Sequence, residues 1–172
     1  LLGCASLSSC RSLELCLRWC RYAVVSLDTA NINIPKMKFR DGFAVNLGNP
    51  HIVFFENDVE GLDLKKDAPA IENHKFFPER VNVNFAQIIT KNKIRLRVWE
   101  RGAGETLACG TGACATVAAS FKKGLTDSNV RVLLDGGSLD VQFLNDGHLV
   151  MIGDVSRVFD GTIDKAIFKS ES

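Results

Sequence analysis

The stretch ERGAGETLACGTGACA, residues 100–115, joins a strand-like segment to a helix-like one through a glycine-rich turn, with Cys109 at the junction. Upstream, Lys93 to Glu100 alternates without a break. Ile94, Leu96 and Val98 share one face and Arg95, Arg97 and Trp99 the other, which is the period of a half-buried strand. Downstream, Gly112 to Lys123 (GACATVAASFKK) reads as a helix that stops at Gly124, with two lysines where the helix dipole favours cations. Its residues are small on nearly every side, and a helix without a polar face is one surrounded by protein. The expected fold class is therefore α+β, an antiparallel or mixed β-sheet curled around a central helix.

Further out the texture stays β-rich. Ala44 to Leu47, His51 to Glu56 and Asn82 to Thr90 carry Val, Ile and Phe in short runs suited to strands. Val130 to Leu134, Leu139 to Leu144 and Leu149 to Ile152 follow, divided by Asp135-Gly136-Gly137-Ser138 and Asn145-Asp146-Gly147-His148. Both dividers are tight-turn signals, so these strands are expected as antiparallel hairpins. Val155 to Ile163 reads as one more short strand, interrupted at Gly161. Residues 1–30 differ from this body and are expected to be a divergent N-terminal arm, leaving 31–172 as the domain. Within the arm, Ser12 to Val25 has the pattern of a helix with Leu13, Leu15, Cys16, Trp19 and Cys20 on one side.

Bulk properties narrow the function classes. The 172 residues are 46% hydrophobic and 24% charged, an ordinary globular profile. A net charge of +1 argues against nucleic acid or an anionic membrane surface as partner. No apolar run approaches the roughly 18 residues of a membrane-spanning helix. Because the chain opens at Leu1 rather than Met, residues are expected to precede it. Leu1-Leu2-Gly3-Cys4 has the look of a lipoprotein signal end, but the charged and apolar segments that go before such an end are missing. Cys4, Cys10, Cys16 and Cys20 crowd the arm, whereas only Cys109 and Cys114 lie in the body, which is not a disulfide framework. Spacings of six, six and four residues match no compact zinc pattern, so no metal is expected. Unpaired thiols fit a reducing cytoplasm.

The chemistry concentrates at Cys109. Exposed N–H groups at a helix N-terminus bind anions, and glycines let a ligand approach closely. The same dipole lowers a thiol pKa, so Cys109 is expected to titrate below the roughly 8.5 of an ordinary thiol. One segment thus offers both a carboxylate cradle and a proton-transfer cysteine. Taken alone, Cys-Gly-Thr-Gly fits a tight turn with a buried structural cysteine better than a reactive site. Cys114, inside the helix, reads as a small packing residue.

The longer pattern is more specific. Glu100 to Ala115 resembles the C-terminal catalytic motif of diaminopimelate epimerases almost residue for residue. Three further segments are similar to the same family in the same order: Asn46-Leu47-Gly48-Asn49-Pro50-His51, Phe77-Pro78-Glu79-Arg80-Val81-Asn82-Val83-Asn84-Phe85, and Asp135-Gly136-Gly137-Ser138-Leu139. The resemblance runs roughly from Asn46 to Ile163. It implies one half of a two-domain fold, and a cofactor-independent epimerase interconverting LL- and meso-diaminopimelate for lysine and peptidoglycan precursors. It further implies that Cys109 is one of two catalytic bases and that the Gly110 and Thr111 N–H groups hold the carboxylate at the reacting centre. Asn49, Asn82, Glu100 and Arg101 would bind substrate, and His51 and Glu100 would tune the cysteine pKa values. Arg101 can pair two-pronged with a distal carboxylate.

Each position also has a plainer reading. Asn49 before Pro50 is a common turn device, His51 could be incidental, and Arg101 could solvate a strand end. Asn82 leans towards function on its own, because Asn is depleted in strands. The resemblance also has a gap. The family places its second cysteine in a Cys-Gly-Asn-Gly motif on an N-terminal domain, and this sequence contains no such motif. A truncated gene product, a shifted frame and a fragment all fit that absence. The missing half, or a homodimer partner, would have to complete the site, and the chain alone is expected to be inactive. Competing functions are another racemase or isomerase of the same fold group, such as a proline racemase or a phenazine-pathway isomerase, and a non-catalytic remnant. Role of the arm, activity alone and oligomeric state are not legible.

Overall fold

A computed structural model describes residues 19–22, 30–33, 38–39 and 41–154. Among these residues ten strands form one sheet: β1 (Trp19–Tyr22), β2 (Ala30–Asn33), β3 (Asp41–Asn46), β4 (Pro50–Phe55), β5 (Asn82–Thr90), β6 (Lys93–Glu100), β7 (Gly104–Thr106), β8 (Asn129–Leu134), β9 (Gly137–Phe143) and β10 (Leu149–Ile152). Helix α1 spans Leu64–Glu72 and α2 spans Gly110–Lys122. The strand order is β1-β10-β9-β8-β6-β5-β4-β3-β2, with β7 paired to β6 outside that path. The β4–β5 and β6–β8 pairs are parallel and the rest antiparallel, so the sheet is mixed.

Curling of the sheet follows from what α2 needs. Every residue from Gly112 to Ser120 is buried, and the helix packs against β3, β4, β5, β9 and β10. Small side chains let strands approach on several sides at once, and no single flat face could cover such a helix. Its end is set by Gly124 at φ 69°. Leu125 N–H donates to Ser120 O and Gly124 N–H to Phe121 O, both at 2.9 Å, closing the helix with a left-handed glycine.

The two faces of the sheet carry separate cores. Val45, Val53, Ala86, Ile94, Leu96 and Val98 face α2. Ile52, Phe54, Val83 and Phe85 point the other way, onto Leu64, Ala68 and Ile71 of α1. The strict alternation read in β6 therefore holds, with Ile94, Leu96 and Val98 buried. The turns at Asp135-Gly136 and Asn145–His148 connect antiparallel hairpins as expected.

Three expectations need revision. Helix α1 was not anticipated, although Leu64, Ala68 and Ile71 have helical i, i+4, i+7 spacing; Pro69 within it masked the pattern. Its start is capped by Asp63, whose carboxylate accepts from Lys66 N–H at 3.2 Å. The glycine-rich turn is shorter than it reads, because Gly104–Thr106 turns back as β7 against Val98–Glu100, leaving Arg101 to Ala103 as the loop. The helix anticipated over Ser12–Val25 is replaced at Trp19–Tyr22 by β1, which adds to the open edge of β10. Unpaired backbone groups on that edge are satisfied better by a strand than by a helix. The rest of that segment, and the strand anticipated over Val155–Ile163, lie outside the described residues. No helix among the described residues is long and apolar enough to cross a membrane.

Candidate active site

Polar side chains collect on the α2 face at one end of the sheet, where β4 and β5 begin and β6 ends. In the parallel β4–β5 pair, His51 stands opposite Asn82, so His51, Asn82 and Asn84 share a face. Glu100 continues the inward face of Ile94, Leu96 and Val98. The N-terminus of α2 is brought to the same end by the short β7 arm.

Cys109 caps α2. Its backbone is extended (φ −140°, ψ 109°), and its Sγ accepts from Gly112 N–H at 3.3 Å. The hydroxyl of Thr111 lies 3.6 Å from the same sulfur. Gly110 and Thr111 are the first two helical residues, so their N–H groups have no carbonyl one turn back to bond. The loop before Cys109 is braced by the Asp135-Gly136 turn, where Gly136 N–H donates to Leu107 O at 2.7 Å. A side chain at Gly136 would meet that carbonyl at 3.1 Å, a tight contact that glycine avoids.

A line of hydrogen bonds runs from the sheet to the sulfur. Asn84 Nδ2 lies 3.3 Å from His51 Nδ1, and His51 Nε2 lies 3.2 Å from Asn49 Oδ1. Asn49 Nδ2 donates to Thr111 Oγ1 at 3.4 Å. His51 is 1% exposed, and burial together with the Arg101 charge lowers its pKa to about 4, so the ring is neutral at pH 7.

A second group of bonds fixes the Arg101 loop. Asn82 donates to Pro50 O at 2.9 Å and accepts from Arg101 N–H at 2.9 Å. The Arg101 guanidinium donates to Glu79 O at 2.8 Å. Glu72, at the end of α1, is buried and accepts from Gly102 N–H at 3.0 Å, Trp99 Nε1 at 2.7 Å and Arg80 Nη1 at 3.3 Å. Glu100 accepts from Thr106 Oγ1 at 2.7 Å, across the β6–β7 pair.

The electrostatics of Cys109 reverse the expectation of a lowered pKa. Burial pushes the thiol up, and the Glu100 carboxylate pushes it further, while the hydrogen bonds from Thr111 and Gly112 N–H pull it down without winning. Cys109 is 7% exposed, and at that burial desolvation of the thiolate outweighs the helix terminus.

All the residues singled out in the sequence thus lie at one end of the sheet. Asn49, His51, Thr111 and Cys109 are linked in one chain of contacts, Asn82 and Arg101 in another, and the Arg101 charge bears on His51. Two residues were missed, Asn84 and Glu72. Asn84 stands two positions from Asn82 in a strand, a repeat of a strand-averse residue on one face that could have marked it. Glu72 carried no comparable signal. Among the described residues no cluster of His, Cys, Asp or Glu could hold a metal ion.

A sequence model for the family described as diaminopimelate epimerase matches residues 43–158. The chain belongs to that family. A diaminopimelate epimerase from Cupriavidus metallidurans is 54% identical over 121 residues, covering 70% of this chain and 42% of the relative. One from Sphingopyxis alaskensis is 47% identical over 142 residues, covering 83% of this chain and 53% of the relative. The chain thus spans about half the length of the curated relatives it matches. Among solved structures, a phenazine biosynthesis PhzC/PhzF-type protein from Clostridium difficile strain 630 matches in fold. Its TM-score is 0.55 at 12% identity, over 85% of this chain and 57% of that one.

Proposed function

We propose that this chain forms one wall of a diaminopimelate epimerase active site, with Cys109 serving one face of the substrate α-carbon. The supporting observation is the position of Cys109, which caps the α2 N-terminus with its sulfur accepting from Gly112 N–H, directly before the two leading residues of the helix, Gly110 and Thr111. Those N–H groups would hold the α-carboxylate, and fixed dipoles in a site closed to water would stabilise the charge that develops as the α-proton leaves. A neutral Cys109 thiol is suited to giving a proton, after which its thiolate can take one in the reverse direction. Asn49 and Asn82 would contact the substrate, and Arg101, held by Asn82 and the Glu79 carbonyl, would pair with the distal carboxylate. Glu100 and His51 would tune the thiol. Proton transfer of this kind needs neither metal nor organic cofactor.

Inversion needs a second proton-transfer group on the opposite face, and the Cys109 wall serves one face only. That group would come from an N-terminal half or from a partner subunit. In this reading residues 31–172 are the domain, residues 1–30 an arm, and the setting the cytoplasm.

The deciding experiment measures α-proton exchange from diaminopimelate in deuterated water together with chiral separation of the product. The chain alone should give no inversion. Adding the separately expressed N-terminal half of a relative should produce it, and Cys109→Ser should abolish it. Inversion by Cys109→Ser in the completed enzyme would overturn the assignment.

A further inference from the structure

We propose that Asn84 is a positioning residue that sets the direction of the hydrogen-bond chain ending at Cys109, so that the Thr111 hydroxyl donates to the sulfur. The inference rests on the reading of Cys109 as the proton-transfer thiol, but its first test does not.

Direction is decided at the start of the chain. Besides His51, the Asn84 amide nitrogen lies 3.1 Å from Ile52 O and 3.4 Å from Asn82 O. Carbonyl oxygens only accept, so they fix the amide with its NH2 group towards the histidine. His51 Nδ1 must then be the acceptor, and a neutral ring carries its proton on Nε2. That proton points at Asn49 Oδ1, which turns the Asn49 NH2 group towards Thr111 Oγ1. With its oxygen already accepting, the Thr111 hydroxyl is directed to donate to Cys109 Sγ. Had His51 carried its proton on Nδ1, Asn49 would turn over and the Thr111 proton would be drawn away from the sulfur.

Two features show that the Asn84 side chain is fixed. The residue is 0% exposed, and its Oδ1 is turned away from every donor, against the α2 backbone, where a side chain at Gly112 would come within 2.7 Å of it. An amide whose oxygen faces the helix and whose nitrogen faces two carbonyls and a ring nitrogen cannot turn over without burying an unmatched pair. Glu100 and Arg101 are the charged groups acting on this chain, the first on Cys109 and the second on His51. Neither forms a hydrogen bond to the His51 ring that would choose its tautomer.

The test begins with long-range proton–nitrogen correlation NMR on the whole chain with nitrogen-15-labelled histidine. At pH 7 the His51 signals should be those of the neutral Nε2–H form; an Nδ1–H pattern in the unaltered protein overturns the proposal. That measurement needs no variant and no activity. Asn84→Ala should then populate the Nδ1–H form and slow Cys109 alkylation at pH 8 by about two- to tenfold, the effect of one hydrogen bond. Thr111→Val should slow it comparably, and the double variant should be no slower than Thr111→Val alone, because both changes break one chain. Additive slowing, or an unchanged His51 tautomer in Asn84→Ala, refutes the mechanism. If instead all these outcomes hold and the completed enzyme exchanges no α-proton, the functional reading fails and the positioning role stands.

Discussion

Gly112→Ala puts the packing between α2 and β5 to a direct test. A methyl group at residue 112 would sit 2.7 Å from Asn84 Oδ1, 3.2 Å from Cys109 Sγ and 3.3 Å from Cys109 Cβ. Ordinary contact begins near 3.4 Å, so the oxygen is about 0.7 Å too close. Asn84 cannot yield cheaply, because its NH2 group is held by Ile52 O and His51 Nδ1. The helix cannot yield either, since it is buried from Gly112 to Ser120 and Thr116 Oγ1 donates to Gly112 O at 2.8 Å. Overpacking of this kind costs about 1–3 kcal/mol. Replacing a helical glycine by alanine returns about 1 kcal/mol. The net loss is then about 0–2 kcal/mol, or a fall in Tm of up to roughly 8 °C for a chain of this size. The thiol should suffer as well. At 3.2 Å the methyl group pushes the sulfur by a few tenths of an ångström off its contacts with Gly112 N–H and Thr111, and the loss of one such hydrogen bond slows alkylation about two- to tenfold. Scanning calorimetry and the alkylation rate of Cys109 at pH 8 are the measurements. A variant as stable as the parent or more so, with an unchanged alkylation rate, would refute the claim that Asn84 and Cys109 are held rigidly against Gly112.

Stability should fall in acid because of His51. Its folded pKa of about 4 lies below the ordinary 6.5, so the unfolded chain takes the proton first, and the contribution, complete above pH 6.5, is lost between there and pH 4. Between pH 7 and pH 5 the loss is about 2 kcal/mol, and urea titrations should find it largely removed in His51→Gln. Glu100→Gln should speed Cys109 alkylation at pH 8, because the carboxylate raises the thiol pKa; an unchanged or slower rate would place Glu100 too far away to act. Arg101→Lys in the completed enzyme should raise KM for diaminopimelate at least tenfold, because a lysine cannot both reach Glu79 O and present two parallel N–H groups. An unaltered KM would remove Arg101 from the distal carboxylate.

What the sequence revealed and what it hid have separate physical causes. Strand β6 was legible because Ile94, Leu96 and Val98 on one face enter the core around α2, while on the other Arg95 and Arg97 pair with Glu60, Asp135 and Glu105 and Trp99 packs on the α1 layer, so the two faces want opposite chemistry. Helix α2 was legible for the opposite reason, since uniform small residues leave it nowhere to lie except inside the sheet. Helix α1 covers one face only, with three apolar contacts and a proline in nine residues, and so weak a pattern does not stand out from a loop. Partnership across the sheet was invisible for the same reason that register is: no local signal says that His51 will stand opposite Asn82.

The thiol shows how a correct local inference can reach the wrong sign. Cys109 does cap α2, and Gly112 N–H does point at its sulfur, as the glycine-rich sequence before a helix suggested. Those donors favour the thiolate. Yet a cap this close to a helix buried from Gly112 to Ser120 is itself carried out of water, and the desolvation of a sulfur anion grows with the same burial that orders the donors. Glu100 adds to it, because β6 ends on the inward face where the α2 terminus arrives. The balance therefore depends on how far the sheet wraps the helix end, a tertiary quantity. The result is a thiol that holds its proton at neutral pH, with Thr111 and Gly112 aimed at the sulfur to stabilise the anion once that proton has gone. The role proposed for Cys109, alternately giving and taking a proton, gains from that arrangement, since a permanently ionised Cys109 could never act as the acid.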